Sequence, residues 1–128
     1  MILDTSAIIA ILFREAGAGA LLERLWSATV RAVGAPTLVE AGVVLTARAG
    51  EAAVPLLHHF LDAFSIATVP FDGRHAQEAV AIYNTFGKGH HPAGLNYGDC
   101  LSMATARLAG LPLLCVGDDF SRTDVELA

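Results

Sequence analysis

A chain of 128 residues, 54% hydrophobic and 16% charged, has the size of one compact domain and ample apolar material for a core. No stretch reaches the roughly 18 uncharged apolar residues of a spanning helix, and Met1-Ile2-Leu3-Asp4 lacks a basic leader, so a membrane or secreted class is set aside for a cytoplasmic one. The formal net charge of −5 argues against nucleic acid held by charge alone, unless the acids are there to bind a cation.

In chain order, residues 1–4 read as a short apolar strand, and Thr5-Ser6 supplies capping chemistry for a helix over residues 7–13. Gly17 breaks the chain before a second helix over 18–27. Residues 29–35 are strand-like, and Pro36 fits the first turn of a helix that carries Leu38, Val39, Val43 and Thr46 up to Gly50. An amphipathic helix over 51–64 and a strand over 65–69 follow, then a helix over 72–86 capped by Asp72. The segment GKGHHPAG, residues 87–94, has three glycines and a proline and reads as a loop. Asn96 caps a helix reaching Leu108, with Leu101, Ala104 and Leu108 on one face and Gly110 as its stop. A buried strand over 113–116 leads into GDDFSRTDVELA, a turn and a short terminal element. Strands alternating with helices predict an α/β fold, a three-layer α/β/α sandwich around a mainly parallel sheet.

In such a sheet, ligands bind beyond the carboxyl ends of the strands, where strand order reverses. Asp4 closes the first strand, Glu40 lies in the first turns of the helix after the second, and Asp118 and Asp119 follow the last. Asp99 sits in the first turn of the helix that leads into that strand. Each has a plain structural explanation: Glu40 and Asp99 suit a helix N-terminus, and Asp118 and Asp119 suit a turn. Asp4 resists one, because an acid ending an apolar strand is costly unless it is solvated or bound. Several carboxylates in one place repel each other unless a hard divalent cation such as Mg²⁺ or Mn²⁺ neutralises them.

Four segments, MILDTSAIIAIL, PTLVEAGVVL, GKGHHPAGLNYGDCLSMATARL and LLCVGDDFSRTDV, resemble the PIN domain and, more narrowly, the VapC toxins of bacterial toxin–antitoxin pairs. The likeness spans the chain, as one PIN domain over residues 1–128. It implies an endoribonuclease that uses Mg²⁺ or Mn²⁺ to cleave RNA, forms a homodimer and is blocked by a VapB-type antitoxin. Asp4, Glu40 and Asp99 match the family's metal-binding acids. The fourth acid falls on Asp119, the aspartate before Phe120, with Asp118 as the alternative. Thr5 or Ser6 matches a supporting hydroxyl, and Asn96 precedes Asp99 as in close relatives.

Arg14, Lys88, His90, His91 and Arg122 are candidates for a rim that tracks RNA phosphates, the plain alternative being solvated surface charge. His58 and His59 cannot share a helix face, and His75 reads as a helix-surface residue. Trp26 and Phe64 read as core or interface, and Cys100 and Cys115 as buried free thiols rather than a disulfide. Two rivals are weighed: a non-toxin PIN nuclease of RNA processing, against which the short single domain and the match to the toxin motifs count, and a catalytically silent binding module, against which the acids at all four places count. An aspartyl-phosphate receiver domain is disfavoured because the only lysine, Lys88, lies in a loop.

Overall fold

The strands are two or three residues long, and their alternation divides the molecule into layers. The computed structural model describes residues 1–128. Strands β1 (Ile2–Leu3), β2 (Ala32–Gly34), β3 (Ala67–Val69) and β4 (Leu113–Leu114) form one sheet in the order β3-β2-β1-β4, every neighbouring pair parallel. Ile2, Ala32 and Leu113 are in register, as are Leu3, Val33 and Leu114. Successive strand residues point to opposite faces, so the first set joins one hydrophobic core and the second set joins the other.

The core on the Leu3 face is closed by α1 (Thr5–Leu12), α2 (Ala18–Ser27), α3 (Ala35–Ala49) and α4 (Val54–Ala63), through Ile8, Leu25, Leu45 and Phe60. The core on the Ile2 face is closed by α5 (Gly73–Phe86) and α6 (Tyr97–Ala109), through Ile82 and Met103. The result is the expected three-layer α/β/α sandwich, with its sheet wholly parallel.

Several boundaries move, each for a local reason. The first helix begins at Thr5 rather than residue 7, because the cap is Asp4 and not the Thr5-Ser6 hydroxyls. The strand read over 29–35 shrinks to three residues because α3 starts directly after Gly34, with Pro36 in its first turn. The single helix read over 51–64 divides into a 3-10 turn, Glu51–Ala53, and α4, whose first turn holds Pro55. Proline has no N–H to continue an incoming helix. His75 is not a free surface residue: its Nδ1 accepts from Asp72 N at 3.3 Å, which closes the capping box of α5, and lies 2.8 Å from Asp72 Oδ1, while its ring packs on Phe71. Trp26 lies outside the core at 72% exposure, edge-on to Phe64, which leaves the interface reading for it.

Arg31 ties the C-terminal ends of two helices to the sheet. Its guanidinium donates to the carbonyls of Leu25 (2.7 Å), Trp26 (3.0 Å) and Phe64 (3.0 Å), satisfying acceptors that helix termini leave open. Arg31→Ala is expected to lower the free energy of unfolding by about 1–3 kcal/mol, read by urea denaturation of the metal-free protein.

Candidate active site

The sheet places its ligand edge beside β1. Strands β2 and β3 lie on one side of β1 and β4 on the other, so strand order reverses between β1 and β4, and a crevice opens at their carboxyl ends. Asp4 stands in it, only 5% exposed. Its amide donates to Leu114 O at 2.9 Å. Its Oδ2 accepts from Ser6 N (2.9 Å) and Ser6 Oγ (2.6 Å), and Ser6 Oγ accepts in turn from Val116 N at 3.0 Å. One serine thus fixes the Asp4 carboxylate to the segment leaving β4.

Glu40 arrives from α3, which starts at the carboxyl end of β2. Its Oε2 accepts from Thr5 Oγ1 at 2.6 Å, and its carboxylate rests against Gly98 in the first turn of α6. Asp99 and Asn96 form a reciprocal capping box: Asp99 N donates to Asn96 Oδ1 (2.9 Å) and Asn96 N donates to Asp99 Oδ2 (2.8 Å). Asp119 opens a 3-10 turn, Asp119–Arg122, whose buried anchor is Phe120. Asp4, Glu40, Asp99 and Asp119 line a single pocket of about 290 Å³ together with Thr5, Ser6 and Asn96. Asp118 is not part of its lining.

Removal from water pushes the Asp99 carboxyl up to about 6, and the negative charges of Asp4, Asp119 and Glu40 add to the rise against the Asn96 amide, which lowers it. Asp4, Glu40 and Asp99 each give one oxygen to a protein donor and leave the other without a protein partner. The four acids line one pocket, but no three of them lie close enough together to hold a metal ion in this arrangement. The donor set consists of carboxylate oxygens, which suits a hard cation such as Mg²⁺ or Mn²⁺.

The cationic candidates do not join this pocket. Arg14, Lys88, His90, His91 and Arg122 all lie outside its lining. His90 stands edge-on to Tyr83 at 5.3 Å, and His91 edge-on to Phe86 at 5.2 Å with its Nδ1 accepting from Ala93 N. Cys100 is buried, Cys115 is half-buried, and both are free thiols. Desolvation first, then nearby carboxylates, pushes each to about 11, so both stay protonated at neutral pH. A second groove of about 400 Å³, between α5 and α6, is lined only by apolar and aromatic residues including Val80, Tyr83 and Tyr97. Two contributors to the acidic pocket escaped sequence reasoning. Val116 acts through its backbone amide, and Gly98 through the side chain it lacks.

The PIN domain family model matches residues 1–126. Ribonuclease VapC of Mycolicibacterium smegmatis is 41% identical over 125 residues, which cover 98% of this chain and 97% of that protein. Ribonuclease VapC28 of Mycobacterium tuberculosis is 43% identical over 129 residues, covering 100% and 97%. Among solved structures, the fold is similar to Mycobacterium tuberculosis VapC20, described as a sarcin-ricin loop cleaving toxin, with a TM-score of 0.80, 18% identity and coverage of 99% and 97%. It is also similar to VapBC2 of Rickettsia felis bound to a promoter DNA fragment, with a TM-score of 0.77, 17% identity and coverage of 99% and 96%.

The raised pKa of Asp99 has a consequence for the metal-free protein. Between the ordinary 3.8 and about 6 the folded state holds a proton that the unfolded state has released, so stability from this group is full below that window and lost as pH rises through it. Asp99→Asn keeps an acceptor for the Asn96 amide and removes the charge. Thermal melts without metal are expected to show the variant several degrees above wild type at pH 7.5, with the gap closing toward pH 4.

Proposed function

Because the chain belongs to the PIN-domain family and to its VapC ribonuclease branch, we propose that it is a metal-dependent endoribonuclease acting as the toxin of a toxin–antitoxin pair. The observation that carries this reading is the convergence of Asp4, Glu40, Asp99 and Asp119 on one pocket at the sheet's switch point. Asp4 and Asp99 would hold the principal ion, and Glu40 and Asp119 would complete its surroundings. A bound Mg²⁺ or Mn²⁺ supplies Lewis-acid stabilisation of the phosphoryl group and lowers the pKa of a water.

The protein's own part is orientation. Ser6 fixes which Asp4 oxygen faces the pocket, Thr5 does the same for Glu40, and Asn96 for Asp99. The net charge of −5 then partly reflects the site itself. Arg14, Lys88 and Arg122, with His90 and His91, serve as the outlying rim along which RNA phosphates run.

The partner is a VapB-type antitoxin. Toxin–antitoxin assemblies are among the structures similar to this chain, and an antitoxin arginine suits the free carboxylate oxygens as a charge-assisted, bidentate donor. Exposed apolar residues, among them Trp26, Val39, Val43 and Tyr97, fit assembly as a homodimer with its antitoxin. No helix is long and apolar enough to cross a membrane, and the cytoplasm is the compartment in which such a toxin meets RNA.

Purified protein incubated with total RNA in Mg²⁺ or Mn²⁺ is expected to give defined cut ends, and none in EDTA. Asp4→Asn and Asp99→Asn are expected to lose more than the roughly 10–100-fold that removal of an outer-shell partner costs. Full cleavage by either variant, or by wild type in EDTA, contradicts the mechanism.

A further inference from the structure

Gly98 occupies the second residue of α6, a place where glycine has no backbone reason to be. It is not among the glycines with positive φ, and glycine is the poorest helix former after proline. What the position does require is space. A Cβ at residue 98 falls 2.9 Å from both Glu40 carboxylate oxygens and 3.1 Å from Glu40 Cδ, and these are its three nearest neighbours. Real Cβ atoms essentially never come within 3.0 Å of a heavy atom beyond their own residue and its chain neighbours.

We infer that Gly98 is a positioning residue for the metal site: its bare Cα is the seat on which the Glu40 carboxylate rests. Thr5 holds Glu40 from one side through its 2.6 Å hydrogen bond, and Gly98 admits it from the other. The seat lies on the first turn of α6, whose dipole favours an anion, and it adjoins Asp99 in sequence. Glu40 is exposed and the clashing atoms are the far end of its side chain, so a methyl group at residue 98 displaces the carboxylate and leaves the backbone in place. The cost falls on the site and not on the fold. This inference rests on the reading of the pocket as a divalent-cation site.

The test compares Gly98→Ala with wild type in two measurements, the thermal melt without metal and Mn²⁺ affinity by calorimetry. The melting temperature is expected to stay level or rise, as alanine favours the helix, while Mn²⁺ affinity falls about tenfold. In a Glu40→Gln background, the same change at residue 98 is expected to have no further effect on affinity, because both act through one carboxylate. If Gly98→Ala lowers the melting temperature instead, adding Glu40→Ala must restore it. Wild-type Mn²⁺ affinity in Gly98→Ala, an undiminished effect in the Glu40→Gln background, or failure of Glu40→Ala to restore a lowered melt each overturns the inference. Wild type that binds Mn²⁺ but cuts no RNA overturns the proposed activity alone, and wild type that binds no Mn²⁺ overturns both.

Discussion

Burial of carboxylates side by side at one edge of a sheet, with the mutual repulsion that adds to its cost, is the constraint on which the rest of this structure turns. Asp4 is almost wholly buried, Asp99 is half-buried with its carboxyl raised to about 6, and Glu40 and Asp119 face the same pocket. Such a cluster works against the folded state at neutral pH unless a cation relieves it. The fold tolerates it by tethering three of the four acids, each to a different neighbour. Asp4 is bound to Ser6, Glu40 to Thr5 and Asp99 to Asn96, which keeps the acids on one pocket but too far apart for three of them to enclose an ion as they stand.

Two of the three tethers are also helix caps. Asp4 caps α1 and Asp99 closes the capping box of α6. The structural explanation for an acid at a helix start and the functional one are therefore the same geometry, since capping occupies one carboxylate oxygen and frees the other. Ser6 extends this economy by accepting from Val116. The position of Asp4 is thereby coupled to the segment that brings in Asp119.

Much of this was legible in the chain. Apolar runs alternating with helix-period segments are enough to predict the layers, and acids placed just after those runs land on the carboxyl edge because a parallel sheet has only one such edge. The strand ends were less legible, because helices here start directly after the strands and local capping decides the residue. Trp26 and His75 show the limit for single side chains: an aromatic at helical spacing stays 72% exposed, and a histidine taken for surface folds back on Asp72. The doubled aspartate illustrates another limit. Phe120 anchors the turn and places Asp119 in the pocket lining while Asp118 stays out of it, which depends on a turn geometry that composition does not encode. Gly98 was invisible for a simpler reason, since the partner it makes room for lies on another helix.

A pocket strained by its own buried charge, and relieved by a divalent cation as proposed, is tested most directly by the melting temperature of wild-type protein titrated with Mn²⁺ at pH 7.5. Binding to the folded state alone raises stability by RT ln(1 + [L]/Kd), so a melting temperature that climbs steadily with Mn²⁺ and falls back on addition of EDTA is the predicted result. A melting temperature unmoved by millimolar Mn²⁺ would contradict it.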